Sequence, residues 1–280
     1  MSDSIFTFLW EVPDANFYVH QEKGGTAKQA QRLVTTGFPS GVRFPLKRSY
    51  SPLKDHPGLF REFAEIGQAQ RNILLFANEY GYLWGTGNGV WVCLPKGKMG
   101  WGEPLADWRE EIQEMHVGLE LWQMIQSKDY DGLREVIRWE ARNNEKLSVR
   151  YQTGKRFRLI SSKKFRPHLL EFFHENDPLE PARTYLQRLI DERMQHYVSS
   201  RLLFTSEDRE ALNLYFVPQN LLGCLWLQFA RAVDGNKQFR RCAMCEKFIE
   251  HSLDRTGSRS DKKTCSDKCR QKLSRSKKGG

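Results

Sequence analysis

Two pairs of cysteines near the C-terminal end carry the clearest chemistry in this 280-residue chain. Cys242-Ala-Met-Cys245 sets two thiols two residues apart, close enough for both sulfurs to grip one ion. Nineteen residues later comes Cys265-Ser-Asp-Lys-Cys269. Four thiolates suit tetrahedral Zn2+, which accepts soft ligands and has no redox chemistry of its own. A disulfide framework would need an oxidising compartment, and a redox Cys-x-x-Cys would need a thioredoxin-like βαβ setting; the chain suggests neither. Iron in the same sulfur set would leave the argument unchanged. The complete set of four places His251 beside the site and not in it, while Cys93 and Cys224 have no partner at useful spacing and read as core residues.

The elements that must hold these ligands follow from the residues around them. Phe248-Ile249-Glu250 suits one arm of a short hairpin, with Phe248 packed under the metal. Ser266 is a good N-cap, which puts Cys269 in the first turn of a helix. Knuckle, hairpin, then ligands from a helix start is the order of a treble clef. That helix carries Lys268, Lys272 and Arg275 at steps of four and three, with Arg270, Lys277 and Lys278 nearby, and Leu273 turned to the metal core. The loop between the cysteine pairs adds Arg255, Arg259, Lys262 and Lys263. From Arg240 onward there are 13 Lys and Arg against 5 Asp and Glu, a balance of +8, whereas the remainder of the chain has 31 against 29, or +2. The basic character is thus assigned to the tail, and its expected partner is a phosphate backbone. The tail has no interleaved aromatics for stacking unpaired bases, which favours duplex DNA over RNA. The bland alternative is a solvated basic tail, or one that meets acidic protein surface.

The tail resembles the zinc ribbons that end many bacterial proteins, and it is distantly similar to the CGNR-type finger that follows the ABATE domain in a family of transcription regulators. The shared features are the arginine-led first knuckle (Arg240-Arg241-Cys242), a phenylalanine three residues past its second cysteine, and the Cys-Ser start of the second pair. The Cys-Gly-Asn-Arg tetrapeptide is here Cys269-Arg270-Gln271-Lys272, and both cysteine spacings are shorter than in that family. The resemblance covers about 40 residues; it implies nucleic-acid binding for the finger and a sensing role for the domain before it.

Upstream, the chain is expected to form a mainly helical α+β domain over residues 1–235, followed by the basic four-cysteine zinc-finger module over 236–280. Its hydrophobic fraction of 39%, with 17 Phe, 9 Tyr and 8 Trp, is that of a globular protein. Ile5 to Trp10 and Asn16 to His20 are β-prone, and a helix is expected after Pro57 with Phe60, Phe63, Ile66, Ile73, Ala77 and Tyr80 on one face. Gly85 to Trp101 reads as a hairpin and loop. Pro104 opens a helix with a heptad-like seam of Leu105, Trp108, Ile112, Met115, Leu119 and Trp122, suited to another helix or to a homodimer partner. Further helices are expected over Asp131 to Arg142, Pro181 to Ser199 and from Pro218, with a hairpin around Thr153-Gly154 and a strand near Leu212 to Phe216. Trp108 and Trp122 read as core, Trp91 and Trp101 as pocket candidates.

No constellation here supports an enzyme. Gly85-Thr-Gly-Asn-Gly89 matches neither phosphate-loop spacing, Glu110-Glu111 read as solvated helix-face acids, and the remaining histidines are scattered. Four sulfurs leave no open position on the ion for catalysis. The N-terminal stretch lacks a signal-peptide pattern and no apolar run is long enough for a bilayer, so a cytoplasmic protein is expected, without membrane partners. Two functions stand: a zinc-finger DNA-binding transcription regulator with an N-terminal sensing or dimerisation domain, and an adaptor or antitoxin-like protein whose finger contacts another protein.

Overall fold

The computed structural model describes residues 8–21, 31–36, 46–85, 89–142, 145–154, 156–174, 177–204, 212–251 and 263–278. Helix occupies 47% and strand 31% of them, an α+β protein. From the N-terminus run β1 (Trp10–Pro13), β2 (Phe17–Gln21), β3 (Gln31–Thr36), β4 (Leu46–Tyr50), α1 (Pro52–Asp55), α2 (Leu59–Glu65) and α3 (Gln70–Tyr80). A hairpin of β5 (Val90–Cys93) and β6 (Met99–Pro104) leads into α4 (Leu105–Ser127). There follow α5 (Tyr130–Val136), β7 (Ile137–Arg142), β8 (Glu145–Thr153), β9 (Arg156–Ser162), α6 (Pro167–Phe172) and α7 (Leu179–Tyr197). The chain continues through β10 (Val198–Leu203), β11 (Asn213–Pro218), α8 (Leu221–Asp234), β12 (Gln238–Arg241), β13 (Phe248–His251) and α9 (Asp267–Lys278).

Two compact units divide the chain: residues 1–116 with 192–232, and residues 117–191 with 233–280. The composition break at Gly235 falls just past the edge at 232.

In the first unit an antiparallel sheet runs in the order β2-β3-β6-β5, beside two-stranded pairs β1-β4 and β10-β11. Its core is aromatic: Phe63 lies 5.3 Å from Phe76 and 6.3 Å from Trp108, and Phe60 stacks on Phe229 at 5.8 Å. Trp226, Leu221, Leu222 and Leu225 of α8 are fully buried, as the apolar run of that helix requires. A carboxylate sits inside this core. Glu103 is 0% exposed and accepts from the Trp84 and Leu83 backbone N–H groups at 2.7 and 3.1 Å and from the Trp108 indole at 2.9 Å. Burial drives its carboxyl up to about 8, against the downward pull of those donors. Glu111 is buried too, with both its oxygens 3.2 Å from Arg193 Nε. This corrects the reading of Glu111 as a solvated acid: the neighbouring arginine lets a helix-face carboxylate turn inward.

The second unit holds the antiparallel sheet β7-β8-β9 and the pair β12-β13. Tyr151 of the sheet stacks on Tyr185 of α7 at 4.6 Å, above buried Val149, Ile160, Leu186 and Leu189.

Several elements differ from expectation. The helix after Pro57 is two, α2 and α3, parted at Gly67, where φ is 71°. The helix expected over 131–142 stops at Val136, and Ile137–Arg142 is a strand. Ile137 and Trp139 alternate with exposed Arg138 and Glu140, a period of two that pairing with β8 exploits. Strand β10 stands where the end of a helix and coil were expected. The seam of α4 is buried from Leu105 to Leu119, so those side chains offer no free face to a partner. Cys224 is buried beside Phe8, Leu53 and Leu227, but Cys93 is exposed on β5 and is not a core residue.

Candidate metal centre

The four cysteines converge because two local devices bring them together. Strands β12 and β13 pair from Gln238↔His251 to Arg241↔Phe248, and the turn between them starts at Cys242. Cys242 N–H donates to the Lys247 carbonyl at 2.8 Å, and Glu246 N–H donates back to the Cys242 carbonyl at 2.9 Å. Glu246 takes φ 59°, the left-handed turn that closes the knuckle. On the other side, Ser266 Oγ accepts from Cys269 N–H at 3.3 Å, the N-cap bond that starts α9 and holds Cys269 in its first turn. The halves are joined by Ala243 N–H to the Lys263 carbonyl at 3.0 Å and by Cys265 N–H to the Cys242 sulfur at 3.3 Å.

All four sulfurs lie within 4.8 Å of one another. Cys245 to Cys265, Cys265 to Cys269 and Cys269 to Cys245 measure 3.4, 3.6 and 3.7 Å. A tetrahedral ion with bonds of ~2.3 Å to sulfur requires edges of about 3.8 Å, whereas a disulfide requires ~2.05 Å. The donor set therefore fits a metal ion and not a bridge. Its protons are unevenly held. Burial works to raise the Cys242 thiol, but N–H donors from Met244, Cys265 and Cys245 outweigh it and bring the group down to about 6. Cys265 is pushed up to about 12 by burial and by the neighbouring sulfurs. Such crowding of like groups is relieved when one divalent cation ionises them all.

Comparison of the chain with protein-family models, with curated proteins and with solved structures gave no match.

Of the cationic residues expected to meet nucleic acid, Lys268, Arg270, Lys272 and Arg275 are exposed on α9. Arg270 is engaged with Asp267 at 3.2 Å, while Leu273 is half-buried. Lys277 and Lys278 belong to the last turn of α9, their side chains outside the description; Arg255 and Arg259 lie outside the described residues.

The sequence reading missed the residues that anchor the module. Arg241 Nη2 donates to Glu120 at 2.7 Å, its Nη1 to the Glu246 carbonyl at 3.0 Å, and its guanidinium lies 3.8 Å over the ring of buried Phe248. Trp122 Nε1 donates to the Lys237 carbonyl at 3.0 Å. The arginine-led knuckle was the one available signal, and it marks a brace for the hairpin. Of the pocket candidates, Trp101 is buried with its indole N–H on the Gly85 carbonyl at 2.7 Å, and Trp91 lies edge-on to it at 5.4 Å.

Proposed function

We propose that this protein is a zinc-finger nucleic-acid-binding protein, a DNA-binding transcription regulator whose preceding domain senses a ligand or dimerises. The observation that carries the reading is the four-sulfur cluster from which α9 springs, with Lys268, Lys272 and Arg275 exposed along that helix. In this reading the ion is zinc, held by Cys242, Cys245, Cys265 and Cys269 in a treble clef. Four thiolates close its coordination, so it has a structural role and no catalytic one. Holding the helix start rigidly turns a run of lysines and arginines into a surface that can follow a duplex backbone. A cytoplasmic, reducing compartment suits thiols held for metal.

Duplex binding across a salt series tests this. If the tail neutralises about 4 phosphates, log K falls against log salt with a slope near −3.6, at about 0.9 per phosphate. Lys272→Ala with Arg275→Ala flattens that slope by up to about 2 units while leaving metal content unchanged. An adaptor would show negligible DNA binding at physiological salt, and the same substitutions would instead break a protein complex recovered from cells.

A further inference from the structure

The ribbon of β10 and β11 turns a row of large apolar side chains into solvent. Leu202 lies directly opposite Leu214, and Ser200 opposite Phe216, so these four share one face. Phe204 and Leu212 follow at the same two-residue step, just past the last pair, Leu203 and Asn213. The five apolar residues are between 47% and 62% exposed. At the base of the same face stand Val198 and Pro218, which pair with each other. Pro218 is buried, and Val198 packs against Phe8, Leu53, Cys224 and Leu227. The face thus begins in the core of the first unit and loses its cover toward the tip of the ribbon. The other face holds buried Tyr215 and half-buried Val217, with Arg201 opposite Tyr215.

At those exposures, five side chains of this size present on the order of 500 Å² of apolar surface, the kind of patch that marks an interaction site. Ser200 is the polar member of the row, and no charged residue belongs to it. The helix seam expected to serve a homodimer is buried from Leu105 to Leu119, so a dimer needs another surface.

We infer that two copies of the chain pair through this face, their β10-β11 ribbons packing face to face about a two-fold axis. Two copies bury about 1,000 Å² from these side chains alone, the area at which specific interfaces begin. In an isologous contact each patch meets itself, so an uncharged apolar row leaves no charge buried without a partner. Homodimer interfaces are also the more apolar class. Nucleic acid finds no cation in the row, because the pairing with Tyr215 puts Arg201 on the opposite face. A bilayer would be entered tip first, and residues 205–211 bring Glu207, Asp208 and Glu210 there against Arg209. The inference gives a surface to the dimerisation proposed above for the preceding domain, and in that respect it rests on that reading. It requires no DNA, so the two can fail separately.

The test is sedimentation equilibrium of the full-length protein without nucleic acid, at concentrations from about 1 to 100 μM. Wild type should reach twice the chain mass. Leu202→Glu with Leu214→Glu should weaken pairing about 100-fold or more, because like charges then meet across the axis. Leu202→Lys with Leu214→Lys should do the same. Both variants should keep the near-ultraviolet signature of the aromatic core, since the replaced side chains lie outside it. Mixing the acidic and basic variants should restore a 1:1 dimer, which separates a lost contact from a lost fold. A wild type that stays monomeric throughout overturns the inference, whether another protein, a vesicle or the chain's own segments cover the face. So does a dimer that survives either double substitution, or a mixture that fails to pair. A dimer that shows no duplex binding in the salt series would refute the DNA reading and leave this one standing.

Discussion

Cys245 stands 3.4 Å from the Cys265 sulfur and 3.7 Å from that of Cys269, so replacing it removes a corner of the cluster. Wild-type protein should contain one zinc per chain by elemental analysis, with its four clustered thiols protected from alkylation until a chelator is added. Cys245→Ser should lose the metal. Because structural zinc contributes on the order of 10 kcal/mol to modules this small, the tail should lose its order while the aromatic core of the first unit keeps its near-ultraviolet signature. Full zinc content in Cys245→Ser would contradict the assignment. Glu103 supports a different kind of forecast. Its folded-state value of about 8 lies above the ordinary carboxyl value of 4.5, so the folded chain holds this proton more tightly than the unfolded chain. Stability should be greatest below the unfolded value and fall as pH rises from about 4.5 toward 8. Glu103→Gln should remove that slope. It should also cost about 1–3 kcal/mol at pH 5, because an amide nitrogen turned toward the Leu83, Trp84 and Trp108 donors leaves at least one unpaired. Thermal midpoints of both proteins across this pH range are the measurement.

At the scale of elements, α8 shows how closely a helix can be required to approach its neighbour. The helix expected from Pro218 begins at Leu221, and Asn220 caps it, accepting from Gly223 N–H at 2.8 Å. A Cβ at Gly223 would run into the Tyr197 carbonyl oxygen at the end of α7. Gly223→Ala should therefore destabilise the protein by about 1–3 kcal/mol, read as a lower denaturation midpoint, although alanine ordinarily strengthens a helix. An unchanged midpoint would mean that α8 can shift without loss. The strand β7 teaches the complementary lesson. Helix-compatible residues at 137–142 become a strand because β8 supplies a partner whose own pattern, Val149 and Tyr151 buried on one face, matches Ile137 and Trp139.

For the molecule as a whole, residues 233–280 group with 117–191, and β12 and the turn before it are tied to α4 through Trp122, Glu120 and Gln126. We expect chelation followed by limited proteolysis to release a stable fragment ending near residue 240, since the Trp122 to Lys237 bond does not depend on the ion. Sensitivity spreading into 117–191 would show instead that the metal holds the entire second unit together. No described helix is long and apolar enough to cross a membrane.

Spacing alone picked out the four cysteines whose sulfurs the fold gathers within 4.8 Å of one another, because a knuckle and a capped helix turn are local geometries that few residues specify completely. Cys242, Cys245, Ser266 and Cys269 could be assigned their parts from a dozen letters of sequence. The large amphipathic helices were legible for the same reason, their apolar residues recurring within the span of each element. Only the tertiary structure decided what depends on residues distant in sequence. Glu111 is buried because Arg193, 82 residues away, meets it. Arg241 braces the β12-β13 hairpin because Glu120 lies beside it. Phe157 of β9 and Phe165 of the turn after it stay exposed, each with an arginine beside its ring, which their apolar type alone does not foretell. A side chain's periodicity tells which face of its element it occupies; what covers that face is set by chain that the local sequence does not contain.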